Sequence, residues 1–278
     1  MYRVNDETQS SAGAPQTPIS ASCPAILVDR LTLSLDGQTP VLADVSLEVA
    51  EGEFVSLVGP SGCGKTTLLN LCAGMVVQNG KGQLQVMGTV PRAGNPQIAY
   101  MLARDSLLPW RNALENAAFG LQVRGFSREQ RVARARAMLA EVGLAACEQA
   151  LPKALSHGMR QRTALARTFA MDAPLLLMDE PFGALDAQTK LQLEDLLLRL
   201  CQQYRHTVLF VTHDLAEAVA VSDRVVVLSS RPGRVVADVH IDLPRPRSIR
   251  ELQKNPHFHE LYAKLWSHLE SGWTQHGH

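Results

Sequence analysis

The stretch "GPSGCGKTT" (residues 59–67) follows the apolar run "FVSLV" and precedes the helix-like run "LLNLCAG". Gly59, Gly64, Lys65 and Thr66 have the spacing G-x-x-x-x-G-K-[ST] between a predicted strand and a predicted helix, which is the context that identifies a phosphate-binding loop. Glycines let successive backbone N–H groups turn toward phosphate oxygens, and the start of a helix adds partial positive charge. The stretch therefore predicts a nucleoside triphosphate site.

Two side chains in this loop have predicted roles of their own. Lys65 would reach the β- and γ-phosphates, and the hydroxyl of Thr66 would bind Mg²⁺. The predicted nucleotide contacts in the loop are Gly59, Pro60, Ser61, Gly62, Cys63, Gly64, Lys65, Thr66 and Thr67, the last of which also fits an ordinary helix position. A glycine-rich turn without a ligand is the alternative, and the complete motif in its strand-to-helix context disfavours it.

A second motif, "LLLMDE", ends an apolar run with two acidic residues. Asp179 would bind Mg²⁺ directly or through water, and Glu180 would orient or deprotonate the attacking water. Two acidic residues after a strand also suit a solvated turn. The phosphate-binding loop upstream favours the functional interpretation and predicts Glu180 as a catalytic residue.

The rest of the chain reads as alternating strands and helices. Residues 1–22 are polar, which predicts a disordered lead-in. Residues 23–243 are predicted to form a nucleotide-binding domain, and residues 244–278 a tail with a helix. Two alternating runs near the start predict an antiparallel β subdomain, and "SREQ" at 127–130 predicts a helix start within a helical subdomain at about 100–165. The pattern predicts an α/β fold with a largely parallel core.

Composition restricts the class of protein. Lys plus Arg and Asp plus Glu both number 27, so no net charge favours nucleic acid as a partner. The five cysteines form no CxxC pair, which is typical of a reduced cytosolic protein. No apolar run reaches the roughly 18 residues of a membrane-spanning helix, and the N-terminus has no secretory apolar segment.

Three further stretches, together with the phosphate-binding loop, resemble a known family. "LSHGMRQR" (155–162, the signature segment), "DEPFGALDA" (179–187) and "THD" (212–214) occur in the order found in the nucleotide-binding subunits of ABC transporters. The resemblance covers roughly residues 26–265. It implies a P-loop NTPase (RecA-like) core and an ATPase that uses ATP and Mg²⁺.

Two softer stretches narrow the resemblance. "LLPWRNALENAAFGL" (107–121) and "LSSRPGRVV" (228–236) resemble the ATPase subunits of the nitrate, sulfonate and taurine import branch. The resemblance implies membrane permease subunits, a second ATPase subunit in a homodimer and, indirectly, a periplasmic-type solute-binding protein as partners. It also implies a peripheral position on the cytoplasmic face of the inner membrane.

The resemblance assigns roles to four more residues. Ser156 and Gly158, at a predicted helix start, would contact the γ-phosphate of ATP held by the other subunit. Asp186 would lie in the loop between the two sites, and His213 would reach the γ-phosphate and the attacking water. Taken alone, Ser156 also fits a plain helix cap and His213 an ordinary histidine at a strand end.

The chain departs from the family pattern in three places. Leu35 takes the place of an aromatic residue that stacks on adenine. Ala103 takes the place of a glutamine that contacts Mg²⁺ and links the site to the permease, and Arg104 and Asp105, which follow it, could substitute for that glutamine. His157 and Met159 alter the signature segment, and an imidazole beside the γ-phosphate would make ATP affinity pH-dependent. We expect hydrolysis to be retained, with weaker nucleotide binding or a different coupling route.

Some alternatives stay open at the level of sequence. The chain could be a regulatory or interaction subunit that binds ATP and barely hydrolyses it, whereas a P-loop kinase would leave the signature segment and His213 without a role. Cys63 lies at a helix start, where a thiolate is favoured, so it fits both a redox-sensitive residue and a small side chain that fills space. Trp110 fits a partner contact or a core position equally.

Overall fold

The computed structural model describes residues 23–34, 38–183 and 185–274 of the chain. The predicted lead-in at 1–22 and the predicted adenine neighbour Leu35 lie outside the described residues. The elements in chain order are β1 (Ile26–Ser34), β2 (Pro40–Val49), β3 (Phe54–Val58), α1 (Lys65–Cys72), β4 (Gly80–Val86), β5 (Ile98–Met101), α2 (Ala113–Ala117), α3 (Phe119–Val123), α4 (Arg128–Glu141), α5 (His157–Ala170), β6 (Leu175–Asp179), α6 (Ala187–Tyr204), β7 (Thr207–Val211), α7 (Leu215–Val221), β8 (Arg224–Leu228), β9 (Val235–His240), α8 (Ile249–Leu252) and α9 (Pro256–Thr274).

Two sheets form the frame of the molecule. A six-stranded sheet has the order β5-β6-β7-β3-β8-β9, parallel except for β9, and a three-stranded antiparallel sheet has the order β2-β1-β4. This arrangement confirms the predicted α/β core and the antiparallel β subdomain. Because β6, β7 and β3 are neighbours and parallel, the loops that follow them meet at one edge of the sheet.

The apolar runs of the sequence become strands that are buried on both faces. Val55 and Leu57 of β3 contact the core formed with β1, β2, β4 and α1, whereas Phe54 and Val58 contact the core formed with the helices on the opposite face. A strand covered on both faces shows no polar alternation, which explains the continuous run "FVSLV". By contrast, β2 alternates between buried and exposed residues because only one of its faces is covered.

Four helices between β5 and β6 pack around a shared set of buried side chains. The predicted capping box at the start of α4 is confirmed, since the Ser127 side chain accepts from the Gln130 backbone and the Gln130 side chain accepts from the Ser127 backbone. The helix ends before Gly143, whose φ is 75°. Trp110, in the loop before α2, is 72% exposed, so the core alternative for Trp110 is wrong.

The tail contains the long helix α9. Phe258, Leu261 and Leu265 of α9 are buried in the core that α7, β8 and β9 share, so this helix is held by its apolar face. Within the described ranges, no helix combines the length and the apolarity needed to cross a membrane. All five cysteines are free.

Candidate functional site

The phosphate-binding loop joins β3 to α1, and all nine predicted contacts of residues 59–67 lie in it or in the first turn of α1. Gly62 has a φ of 78° and Gly64 a φ of 104°, conformations that favour glycine. A Cβ at Gly64 would also lie 2.6 Å from Cδ2 of Leu42. Glycine at position 64 is therefore required by the backbone conformation and by the neighbouring strand β2.

The ammonium of Lys65 lies inside this loop. Its Nζ donates to the carbonyl oxygens of Gly59 at 2.7 Å and Pro60 at 3.0 Å, and the residue is only 6% exposed. No carboxylate of the described residues forms an ion pair with Lys65. The carbonyls that hold this ammonium are neutral and leave it without a counter-ion, so the loop fits the phosphates of a nucleotide.

Oxygen ligands suited to Mg²⁺ meet where the loop reaches β6. The hydroxyl of Thr66 donates to Oδ1 of Asp179 at 3.0 Å. Burial raises the pKa of Asp179 and the carboxylate of Glu180 raises it further, while the Thr66 hydrogen bond opposes them. A hydroxyl and a carboxylate are hard oxygen donors of the kind that Mg²⁺ prefers, and a cation there would offset the cost of burying this charge.

Glu180 and His213 follow the adjacent strands β6 and β7. His213 Nδ1 lies 3.2 Å from Glu180 Oε2. Glu180 has a φ of 43°, unusual for a residue with a side chain, and its backbone N–H donates to the Val211 carbonyl at 2.9 Å. Strained backbone of this kind is concentrated at functional sites. The arrangement places a carboxylate and an imidazole beside the predicted phosphate and metal positions.

Ser156 and Gly158 of the signature segment lie at the start of α5, and Asp186 lies at the start of α6. These two helix starts are in contact. The Ser156 side chain caps α5 by accepting from the Met159 N–H at 3.3 Å, and Asp186 caps α6 by accepting from the Thr189 N–H at 3.0 Å. A Cβ at Gly158 would lie 2.7 Å from Cγ2 of Thr189. Glycine at 158 is thus needed for packing between the two helices, a reason that the sequence does not reveal.

The backbone at His157 and the charge of Asp186 follow from their positions at these two helix starts. His157 is the first residue of α5 and does not have a positive φ, so its backbone needs no special tolerance. Hydrogen bonds from Thr189 hold the pKa of the exposed Asp186 carboxyl below its usual range. The carboxylate of Asp186 is therefore charged at neutral pH and engaged as a helix cap.

The loop that carries Ala103 is attached to α5. Nε of Arg160 donates to Oδ2 of Asp105 at 2.9 Å, and Nη1 of Arg160 donates to the Leu155 carbonyl at 2.9 Å. Arg167 donates to the backbone carbonyls of Asp105 and the next residue, both at 2.8 Å. Asp105 thus makes its ion pair with the helix of the signature segment, while the side chain of Ala103 is exposed.

Cys63 is fully buried within the phosphate-binding loop. Burial raises the pKa of its thiol, although Lys65 opposes the shift. The expectation of a favoured thiolate is therefore wrong, because desolvation outweighs the charge at the helix start. Cys63 serves as a small apolar side chain that fills the space under the loop.

Sequence reasoning missed a cluster of buried charges next to the site. Lys190 of α6 lies close to Glu194, one turn along the same helix, and to Asp214 and Glu217 at the start of α7. The spacing of Lys190 and Glu194, four residues apart on a helix, was a visible signal. The contact with α7 was not visible, since it depends on how the two helices pack.

Comparison with known proteins adds to this geometry. The family model described as "ABC transporter" matches residues 42–183, which include the phosphate-binding loop, the signature segment and Asp179–Glu180. An uncharacterised ABC transporter ATP-binding protein of Bacillus subtilis, YtlC, is 40% identical over 252 residues, covering 88% of this chain and 95% of the relative.

Two other relatives have names that describe imported solutes. The taurine import ATP-binding protein TauB of Shigella flexneri is 43% identical over 226 residues, covering 80% of this chain and 88% of TauB. The aliphatic sulfonates import ATP-binding protein SsuB 2 of Burkholderia lata is 42% identical over 238 residues, covering 85% of each chain. This chain is similar to both along most of its length.

Proposed function

Because this chain belongs to the ABC transporter family as an ATP-binding subunit, we propose that it uses ATP and Mg²⁺ to drive uptake of a small anionic solute through a separate permease. The ATP-binding subunits of this family are ATPases coupled to transport, and this chain is such an ATPase. Relatives named for taurine and aliphatic sulfonate import support a solute of the nitrate, sulfonate or taurine type.

One observation carries the proposal: the Thr66–Asp179 pair and the Glu180–His213 pair lie at the ends of adjoining strands beside the phosphate-binding loop. Loop amides and Lys65 would hold the phosphates. Thr66 and Asp179 would hold Mg²⁺, which supplies neutralisation of phosphate charge.

The remaining two side chains act on water. Glu180 would accept a hydrogen bond from the attacking water and orient it for attack, with its carboxylate available to take up the proton. His213, 3.2 Å from Glu180, would orient that carboxylate and donate toward charge that develops on the transferred phosphate. With both groups in place, the alternative of a regulatory subunit with little hydrolysis is not favoured.

A second subunit completes the proposed site. Ser156 and Gly158, at the N-terminus of the 14-residue helix α5, would contact ATP held by another copy of this chain, because helix N-termini favour anions. Asp186 would lie in the loop between the two nucleotides. We place this homodimer on the cytoplasmic face of the inner membrane, bound to permease subunits that receive solute from a binding protein, with no nucleic acid partner.

Reconstitution tests this function. The chain would be purified with its permease and binding protein in liposomes, and ATP turnover measured with taurine, an alkanesulfonate or nitrate. Glu180→Gln is the matched control, since it keeps size and hydrogen bonding but removes the charge. We expect turnover that one of the solutes stimulates. A parent protein that shows no turnover above the Glu180→Gln background, with or without permease, would refute the proposal.

A further inference from the structure

A cluster of four ionisable side chains lies between α6 and the start of α7, with its two glutamates buried and its aspartate 38% exposed. Nζ of Lys190 lies 2.7 Å from Oδ2 of Asp214, 3.4 Å from Oε1 of Glu217 and 3.8 Å from Oε1 of Glu194. The side chains of Glu194 and Glu217 are each 3% exposed and that of Lys190 is 18% exposed. We call these four residues the Lys190 cluster.

The cluster contains one ammonium group and three carboxyl groups, so it would carry excess negative charge if all four were ionised. Burial raises the pKa of Glu194 to about 8, with the neighbouring Glu217 adding to the effect. Burial opposes the charges of Lys190 and Asp214 as well, but the carboxylates of Glu217 and Asp214 raise the pKa of the lysine, and the Lys190 contact lowers the pKa of the aspartate. Lys190 and Asp214 therefore form the charged pair of the cluster, and the carboxyls of Glu194 and Glu217 pack around this pair.

The cluster holds the backbone on both sides of His213. The hydroxyl of Thr212 donates to Glu217 and accepts from the Asp214 N–H at 3.0 Å. Asp214 accepts with Oδ1 from two N–H groups in the first turn of α7 and with Oδ2 from Lys190. Because the His213 side chain is 58% exposed, its direction depends on this backbone and not on surrounding walls.

Lys190 also belongs to the helix that starts at Asp186. It lies in the first turn of α6, where its N–H donates to the Asp186 carbonyl at 2.9 Å. The Asp186 loop and the His213 loop are distant in sequence, and the Lys190–Asp214 contact joins them through side chains. A displacement of the start of α6 would therefore be passed to the residue next to His213.

We propose that Lys190 is a positioning residue, which holds His213 at its distance from Glu180 and links that pair to the Asp186 loop. The inference rests on the proposed function, since it assigns a role within ATP hydrolysis. Among the described residues, no hydrogen bond or ion pair joins Lys190 to the phosphate-binding loop, so its contribution belongs to the rate of hydrolysis and not to nucleotide affinity. Removing it should lower kcat because the imidazole samples directions away from Glu180.

The first experiment compares two substitutions at one position. Lys190→Met keeps the aliphatic stem and removes the charge, whereas Lys190→Arg keeps the charge. We expect Lys190→Met to lower kcat by roughly tenfold or more while the Kd of a fluorescent ATP analogue stays within about twofold, and Lys190→Arg to recover most of the rate. Lys254→Met is the control, because Lys254 is exposed and pairs with Glu251 on the surface.

A second measurement separates positioning from general structural damage. In a His213→Ala background, measured by single turnover, Lys190→Met should change the rate by less than about twofold, because a residue that acts through His213 has nothing left to position. An undiminished loss in that background, or a weaker Kd with unchanged kcat, would overturn the inference. Failure of the proposed function is distinguishable, since the parent itself would then show no turnover above Glu180→Gln.

A variant at the other end of the contact covers a failure to fold. Asp214→Asn keeps an oxygen that caps α7 and removes the charge that faces Lys190. Should circular dichroism show that Lys190→Met is unfolded, Asp214→Asn decides the question by the same two measurements. A folded Asp214→Asn protein with the kcat of the parent would overturn the inference, and a tenfold lower kcat with unchanged Kd would support it.

Discussion

Gly233 lies between β8 and β9 and packs against Cys63 of the phosphate-binding loop. Its substitution would therefore displace that loop. Its N–H donates to the Val41 carbonyl at 2.9 Å and its carbonyl accepts from the Ala43 N–H at 3.0 Å, so it is held against β2. A Cβ at this position would lie 2.1 Å from the carbonyl oxygen of Cys63. Gly233→Ala therefore cannot be accommodated by rotating a side chain.

The size of the effect follows from this distance. Real Cβ atoms essentially never approach another atom within 3.0 Å, so the Cys63 carbonyl or the Gly233 backbone must move by at least 0.9 Å. Overpacking of this kind costs about 1–3 kcal/mol of stability. Misaligning one loop amide that donates to phosphate costs about 1.5–3 kcal/mol, which is roughly a 10- to 150-fold weaker Kd for ATP.

Calorimetric titration with ATP and Mg²⁺, together with urea unfolding, tests this prediction. Gly272→Ala is the matched control, since Gly272 is also buried without a positive φ, but a Cβ there has its nearest neighbour at 3.6 Å. We expect Gly272→Ala to bind ATP like the parent. If Gly233→Ala bound ATP within about twofold of Gly272→Ala, the proposed transmission from Gly233 to the loop would be refuted.

Three further predictions concern stability, each measured by urea unfolding. The pKa of Glu194 is about 8 in the fold against 4.5 when exposed, so its contribution to stability is complete below pH 4.5 and is lost as pH rises through 8. The free energy of unfolding should therefore fall on the order of 2 kcal/mol between pH 6 and 8. The same pH dependence of unfolding in Glu194→Gln would contradict this. Asp105→Asn removes the charge paired with Arg160 and should lower the free energy of unfolding by about 1 kcal/mol. Amide exchange at the start of α5 should also become faster, and unaltered exchange there would count against this prediction. The Arg247 side chain is 1% exposed and donates to four backbone carbonyls. Arg247→Met should therefore lower the free energy of unfolding by roughly 3 kcal/mol or more. A decrease below about 1 kcal/mol would show that those carbonyls find other donors.

Several features were predictable because they are local. The spacing of residues 59–67 alone requires a bent backbone that ends in a helix start, and the structure places Gly62 and Gly64 in conformations that need glycine. The capping box at α4 and the strands buried on both faces were likewise read from neighbouring residues. The roles of Glu180 and His213 stay predictions, although the structure brings them within 3.2 Å of each other.

Other features depended on which elements become neighbours. Gly158 is required by Thr189, the thiol of Cys63 is held neutral by burial, and Asp105 pairs with Arg160. None of these follows from spacing along the chain, because each joins segments far apart in sequence or depends on desolvation.

The sequence by itself determined the phosphate-binding loop and the order of strands and helices, since these follow from short-range backbone preferences and apolar patterning. Its motifs also carried the resemblance to the family. Only the tertiary structure decided where charge is buried. From the sequence, Lys190 resembles any exposed lysine of an amphipathic helix. In the structure, the packing of α7 beside α6 brings it into contact with Asp214 and Glu217. The energy of a charge depends on the solvent and the partners around it, and both are set by packing between distant segments.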